Sequence, residues 1–161
     1  MEKDKKIRQL SYEELEEALA LVWEVFSSEI APLCTDEGID DFWASIEYEY
    51  LLHRMGDGFV RFWGAFDGDS LIAVCAMRQL SHVLLLFVKP EYQGQGAGTN
   101  LLKQAVIDCK EADSSIESIT VEAFEGAAAF FGKMGFALSG QAADAGGLRL
   151  LPMTLGKNAR G

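Results

Sequence analysis

Between Gln93 and Thr99 the chain reads Gln93-Gly94-Gln95-Gly96-Ala97-Gly98-Thr99, with three glycines in five residues. Glycine takes left-handed backbone without strain and lets a ligand approach the main chain closely. Just before this stretch comes an apolar run closed by Pro90. Just after it, Leu101, Leu102, Ala105, Val106 and Cys109 recur at helical spacing. The spacing therefore predicts a loop between a strand and a helix. The first amides of that helix and the positive end of its dipole would make an anion site suited to phosphate. A nucleoside-triphosphate loop would need G-x-x-x-x-G-K-[ST], and no Gly-Lys pair follows here. A dinucleotide loop would need G-x-G-x-x-G; Gly94 and Gly96 fit, but Thr99 stands in the third glycine's place and a hairpin precedes the strand. The diphosphate of coenzyme A is the third ligand class. A glycine-rich turn without a ligand fits less well, because strand, spacing, glycines and helix all agree.

The elements that must position this loop are readable in outline. Lys6–Leu10 reads as a short strand. Ser11 and Glu14 form a capping box that opens a helix over 12–28, whose apolar stripe is Leu15, Ala18, Leu19, Val22, Val25 and Phe26. A second helix over about 37–54 has an apolar face of Ile39, Phe42, Trp43, Ile46 and Tyr50. Asp36, Glu37, Asp40, Asp41, Glu47 and Glu49 form its acidic side. Phe59–Phe66 and Leu71–Met77 are β-rich and flank Asp67-Gly68, a strong hairpin signal. His82–Val88 is continuously apolar after its histidine, which predicts a strand buried on both faces between helices. Ser118–Phe124 is a further strand, 127–134 a helix, and Phe136–Gln141 and Leu148–Leu155 two last strands.

Composition bounds the function. The chain has 161 residues, 49% hydrophobic and 24% charged, which suits one domain spanning residues 1–161. Its net charge is −11 and its basic residues are scattered, so neither nucleic acid nor an anionic membrane is an expected partner. Its cysteines, Cys34, Cys75 and Cys109, are odd in number and lack a C-x-x-C pair; neither a disulfide framework nor a metal site is expected. Cys75 and Cys109 read as core, Cys34 as a loop residue. Met1–Leu10 is charged, without an apolar leader, and Val83–Val88 is too short to cross a bilayer. A cytoplasmic protein is expected.

Gln93-Gly94-Gln95-Gly96-Ala97-Gly98 resembles the Q/R-x-x-G-x-G/A signature of the GNAT superfamily of N-acetyltransferases. The resemblance extends through Leu85-Phe87-Val88-x-Pro90 upstream and Leu101-Leu102 downstream. Ala127-x-x-Phe130-Phe131-x-Lys133-x-Gly135-Phe136 is similar to the family's A-x-x-F-Y-x-K-x-G-F segment. The element order also resembles the family's, although the first 80 residues match in pattern only. The resemblance implies an α/β fold: a mixed, mostly antiparallel sheet of about six to seven strands with helices on both faces.

It further implies an enzyme that moves an acetyl group from acetyl-CoA to a primary amine, by direct attack in a ternary complex. A non-catalytic acyl-CoA sensor is the alternative. Amides near Phe87 and Val88 would bind the pantetheine arm and polarise the thioester. Gly94, Gln95, Gly96, Ala97, Gly98 and Thr99 would hold the diphosphate, and Gln93 would anchor the loop. His82, whose ordinary pKa of about 6.5 suits proton removal near neutral pH, is the first candidate base; a strand-capping histidine is the alternative. Glu122, on the strand bordering the presumed gap, is the second; a solvated carboxylate is the alternative. Phe131 departs from the family's tyrosine and cannot donate a proton. Tyr48, Tyr50, His53, Trp43 and Trp63 are polar-aromatic candidates for an acceptor pocket. The acceptor is a small-molecule or peptide amine, and the acidic second helix favours a cationic one. The chain is expected as a monomer or a homodimer, with Leu148, Leu150 and Leu151 available for a contact or for the core.

Overall fold

The computed structural model describes residues 5–156; Met1–Asp4, part of the charged N-terminal stretch, and residues 157–161 lie outside the described residues. The elements run β1 (Lys5–Gln9), α1 (Leu15–Val25), α2 (Asp36–Ser45), α3 (Tyr48–Gly56), β2 (Val60–Asp67), β3 (Ser70–Arg78), β4 (His82–Val88), α4 (Ala97–Ala112), β5 (Ser118–Phe124), α5 (Ala128–Lys133), β6 (Ala137–Leu138), β7 (Ala143–Ala145) and β8 (Leu148–Gly156). They form an eight-stranded sheet in the order β1-β2-β3-β4-β5-β8-β6, with β7 also paired to β8. Every pairing is antiparallel except β4–β5, which is parallel and needs α4 as its crossover. The mixed, mostly antiparallel sheet is as expected, with β7 as an added strand.

Alternation along β2 and β3 sends side chains to two cores. On one face Phe62, Val74 and Ala76 pack with α1 residues Leu15, Leu19 and Val22. On the other, Trp63, Cys75 and Met77 pack with α4 residues Leu101, Leu102 and Cys109. Leu101 is fully buried, so truncating it to alanine would cost about 2–5 kcal/mol. Cys75 and Cys109 are core, and Cys34 is half-buried. The capping box forms, with the Ser11 N–H donating to Glu14 Oε1 at 2.9 Å. Every residue of the α1 stripe is buried. Among the described residues no helix is long and apolar enough to cross a membrane.

Three expectations are corrected. The helix over 37–54 is two helices, because the Glu47 carboxylate accepts the N–H groups of Glu49 and Tyr50 at 3.0 and 2.8 Å and starts α3 afresh. The break turns Trp43 and Tyr50 outward, and they are 57% and 52% exposed. Phe136–Gln141 forms a strand only at Ala137–Leu138. Finally, β4 is only partly buried. Leu86 and Val88 pack on the core beneath α4 and Leu85 and Phe87 on the core beneath α1, as expected, but Leu84 is 38% exposed and Leu86 to Val88 are half-buried, because one edge of the strand borders a gap in the sheet.

Candidate functional site

The gap begins where parallel pairing stops. β4 and β5 share two rungs, His82 opposite Thr120 and Val83 opposite Val121. Immediately beyond, Met77 of β3 faces Val83 and Ala76 faces Leu85. Leu84 is thus an extra residue, a bulge that bends β4 away from β5. Past the bulge the strands part around a cavity of about 530 Å³. Leu84 to Phe87 line one side and Val121 to Phe124 the other. Helix α2 and the β7–β8 turn roof it. The Thr35 N–H donates to Gly146 O at 2.9 Å. Gly38 and Gly146 meet so closely that a Cβ on Gly38 would sit 2.7 Å from Gly146 Cα.

The glycine loop follows β4 after a single 3-10 turn at Pro90–Tyr92. Gly96 takes φ +87° and serves as the N-cap of α4, with no side chain capping the helix. The first backbone bond of the helix runs from the Asn100 N–H to Gly96 O at 2.9 Å. The N–H groups of Ala97, Gly98 and Thr99 therefore precede the ladder, at the positive end of a 16-residue helix. No acidic residue stands in that first turn. Gln93 Nε2 donates to Val88 O at 2.9 Å and to Glu29 at 3.0 and 3.2 Å, tying the loop to the end of β4 and to the segment after α1. Gln95 Nε2 donates to Glu91 O at 3.2 Å, and the Tyr92 hydroxyl donates to Asp67 at 2.8 Å. Gly94 adopts φ +78°.

The two candidate bases lie on the same face of the sheet. Glu122 is exposed and lines the cavity, while Val121 and Ala123 are buried on the opposite face. His82 stands outside the cavity lining, at the paired end. Its Nδ1 is 2.7 Å from Thr120 Oγ1. Burial first, then the Arg78 charge, push its pKa below the ordinary 6.5, and the Glu122 charge partly offsets both. The imidazole is therefore neutral, and able to accept a proton, down to lower pH than usual. Phe131 is buried and lines the cavity, with ring centroids 5.2 Å from Phe130 and 5.3 Å from Phe136.

None of Trp43, Tyr48, Tyr50, His53 or Trp63 lines the cavity; Trp63 is fully buried and its indole donates to Asp108 at 2.7 Å. Leu148 and Leu150 line it instead, while Leu151 packs on the core. Asp41, Ser45 and Cys34 also line it. Asp41 was visible in the sequence only as one charge on an acidic face, and the Leu84 bulge and the Gly38–Gly146 contact had no local signal. Among the described residues no three His, Cys, Asp or Glu side chains are grouped to hold a metal ion.

The comparisons with known proteins agree with this geometry. The family model described as an acetyltransferase (GNAT) domain matches residues 30–157. A PaiA N-acetyltransferase from Thermoplasma acidophilum, crystallised with coenzyme A, is 24% identical with a TM-score of 0.78, over 95% of this chain and 99% of that one. A GCN5-related N-acetyltransferase structure from Rhodopseudomonas palustris is 19% identical with a TM-score of 0.76, over 94% and 95%. A spermidine N-acetyltransferase variant from Vibrio cholerae is 14% identical with a TM-score of 0.67, over 95% and 94%. No curated protein sequence matches significantly. With the family model covering most of its length, the chain belongs to the GNAT acetyltransferases.

Proposed function

We propose that this protein, acting as one domain over residues 1–161, moves an acetyl group from acetyl-CoA to a primary amine by direct attack in a ternary complex. The observation that carries the reading is the juncture at β4. The strand loses its β5 neighbour at the Leu84 bulge and leads, through a short turn and the glycine loop, to a helix start with no side-chain cap and no acidic residue. Amides from Gly94 to Thr99 would take the diphosphate. The freed edge of β4, through Phe87 and Val88, would take the two amides of the pantetheine arm as an added strand would. The relative crystallised with coenzyme A supports the same donor here.

The thioester would then face Glu122 across the cavity. The amine nitrogen bonds the acetyl carbon, the carbon–sulfur bond breaks, and one proton leaves the nitrogen. A main-chain N–H of β4 near the carbonyl oxygen stabilises the charge that develops there. Glu122, which lines the cavity, would receive the proton directly. His82, one rung outside, would receive it through water. Phe131 has no proton to give, so the thiolate draws one from solvent.

A second reading, a sensor that binds acyl-CoA without turnover, is favoured by one observation: the buried phenyl ring of Phe131 occupies the place of a proton donor. Thiol release from acetyl-CoA, measured across a panel of primary amines, separates the two. The transferase reading expects release that depends on the amine. Tight acetyl-CoA binding with no release from any amine would leave the sensor.

A further inference from the structure

The acceptor wall of the cleft is chemically uneven. Among the described residues it presents two carboxylates, Asp41 on α2 and Glu122 on β5, and no lysine, arginine or histidine lines the cavity. A cation entering it meets attraction from opposite sides and no like charge. Most of the remaining wall is apolar and much of it aromatic. Phe26 and Phe42 stack with centroids 4.0 Å apart and planes 10° apart. Phe42 in turn lies 6.0 Å from Phe87 on β4. These three rings come from the segment just after α1, from α2 and from the strand that borders the gap, and Phe124 of β5 also lines the cavity.

The geometry points to an acceptor that is a primary amine carried on an apolar, ring-sized body, with its ammonium between Asp41 and Glu122 and its body against Phe42 and Phe87. This inference rests on the transferase reading and narrows its substrate class. A polyamine or an amino sugar would bring further charges or hydroxyls onto walls whose polar side chains beyond the two carboxylates are Ser45 and Cys34, at a desolvation cost. A short polar amine would leave the phenyl faces wet and forgo their burial. A ring-bearing amine meets both demands, since aromatic faces pack at the spacing these side chains already adopt.

The test is thiol release by the full-length protein at saturating acetyl-CoA, with 2-phenylethylamine, ethanolamine and spermidine as probes. The inference expects kcat/KM for 2-phenylethylamine to exceed that for each of the others by about 100-fold, the scale set by burying one ring. Phe42→Ala should reduce the phenylethylamine-to-ethanolamine ratio about tenfold. Calorimetric binding of acetyl-CoA reports whether that variant is folded. If it is not, Phe42→Leu, which keeps bulk without a ring, should reduce the ratio about threefold. Release that is equal or faster with ethanolamine or spermidine overturns the inference and leaves the transferase reading intact. An unchanged ratio in the folded Phe42 variant also overturns it. No release with any amine overturns both.

Discussion

On the proposed donor side of the cleft the recognition groups would belong to the main chain: the freed edge of β4, the glycine loop and the first turn of α4. On the proposed acceptor side they would belong to side chains: Asp41, Glu122 and the rings of Phe26, Phe42 and Phe87. The donor side follows from one continuous stretch, residues 84–100. The acceptor side is assembled from the segment after α1, from α2, β4 and β5 and from the β7–β8 turn. A main-chain site needs glycines at fixed spacing and tolerates little else. A side-chain site can be rebuilt by exchanging residues on a constant frame. On this proposal the donor half would carry the chemistry common to the family, and the acceptor half is where this chain would acquire its own specificity.

The contrast can be broken most severely at the base. His82→Gln should lower kcat about 100-fold or more if the imidazole receives the proton. The wild-type acid limb of kcat/KM should centre below pH 6.5, because burial and Arg78 depress the His82 pKa. The sign is that an imidazole accepts a proton only when neutral, and a depressed pKa keeps it neutral to lower pH. A pH–rate profile that His82→Gln leaves unchanged assigns the role to Glu122.

Next in size is the donor loop. Gly96→Val places a β-branched residue at φ +87° and should weaken acetyl-CoA binding about 100-fold by calorimetry, with little change in acceptor KM. Asp41→Asn is its mirror on the other wall. It should raise KM for a cationic amine about tenfold at low salt, less at high salt, and leave donor binding unchanged. If both variants shift donor and acceptor constants together, the division into two walls fails.

Legibility follows the same division. The strand Ser118–Phe124, the helix after the glycines and the loop between β4 and α4 are local patterns, and the sequence shows them. The break at Ile46-Glu47 was hidden because a glutamate inside a helical pattern looks like a surface residue until its carboxylate caps a second helix. Ala143–Ala145 has no strand formers and becomes β7 only because β8 lies beside it. The apolar run of β4 suggested burial on both faces, whereas part of it lines the cleft. Phe42 and Asp41 could be read as helix faces, but nothing local joins them to Glu122, some eighty residues away.

The smallest expected effect lies away from both walls. Arg8 hydrogen-bonds Glu14 and, with the Ser11 N–H, lowers its pKa to about 2 against an ordinary 4.5, with burial opposing. A depressed carboxylate adds stability that is present above pH 4.5 and lost as pH falls toward 2. The pair is partly exposed, so Glu14→Gln should cost only about 0.5 kcal/mol at neutral pH in denaturant unfolding. Acetyl-CoA affinity should not change.

Calorimetric titration of the unmodified protein with coenzyme A and with pantetheine, which lacks the nucleotide and its diphosphate, tests the central claim most directly. If the amides around Gly96 hold the diphosphate, coenzyme A binds and pantetheine binds at least about 100-fold more weakly. Equal affinity for the two, or no binding of coenzyme A, would contradict it.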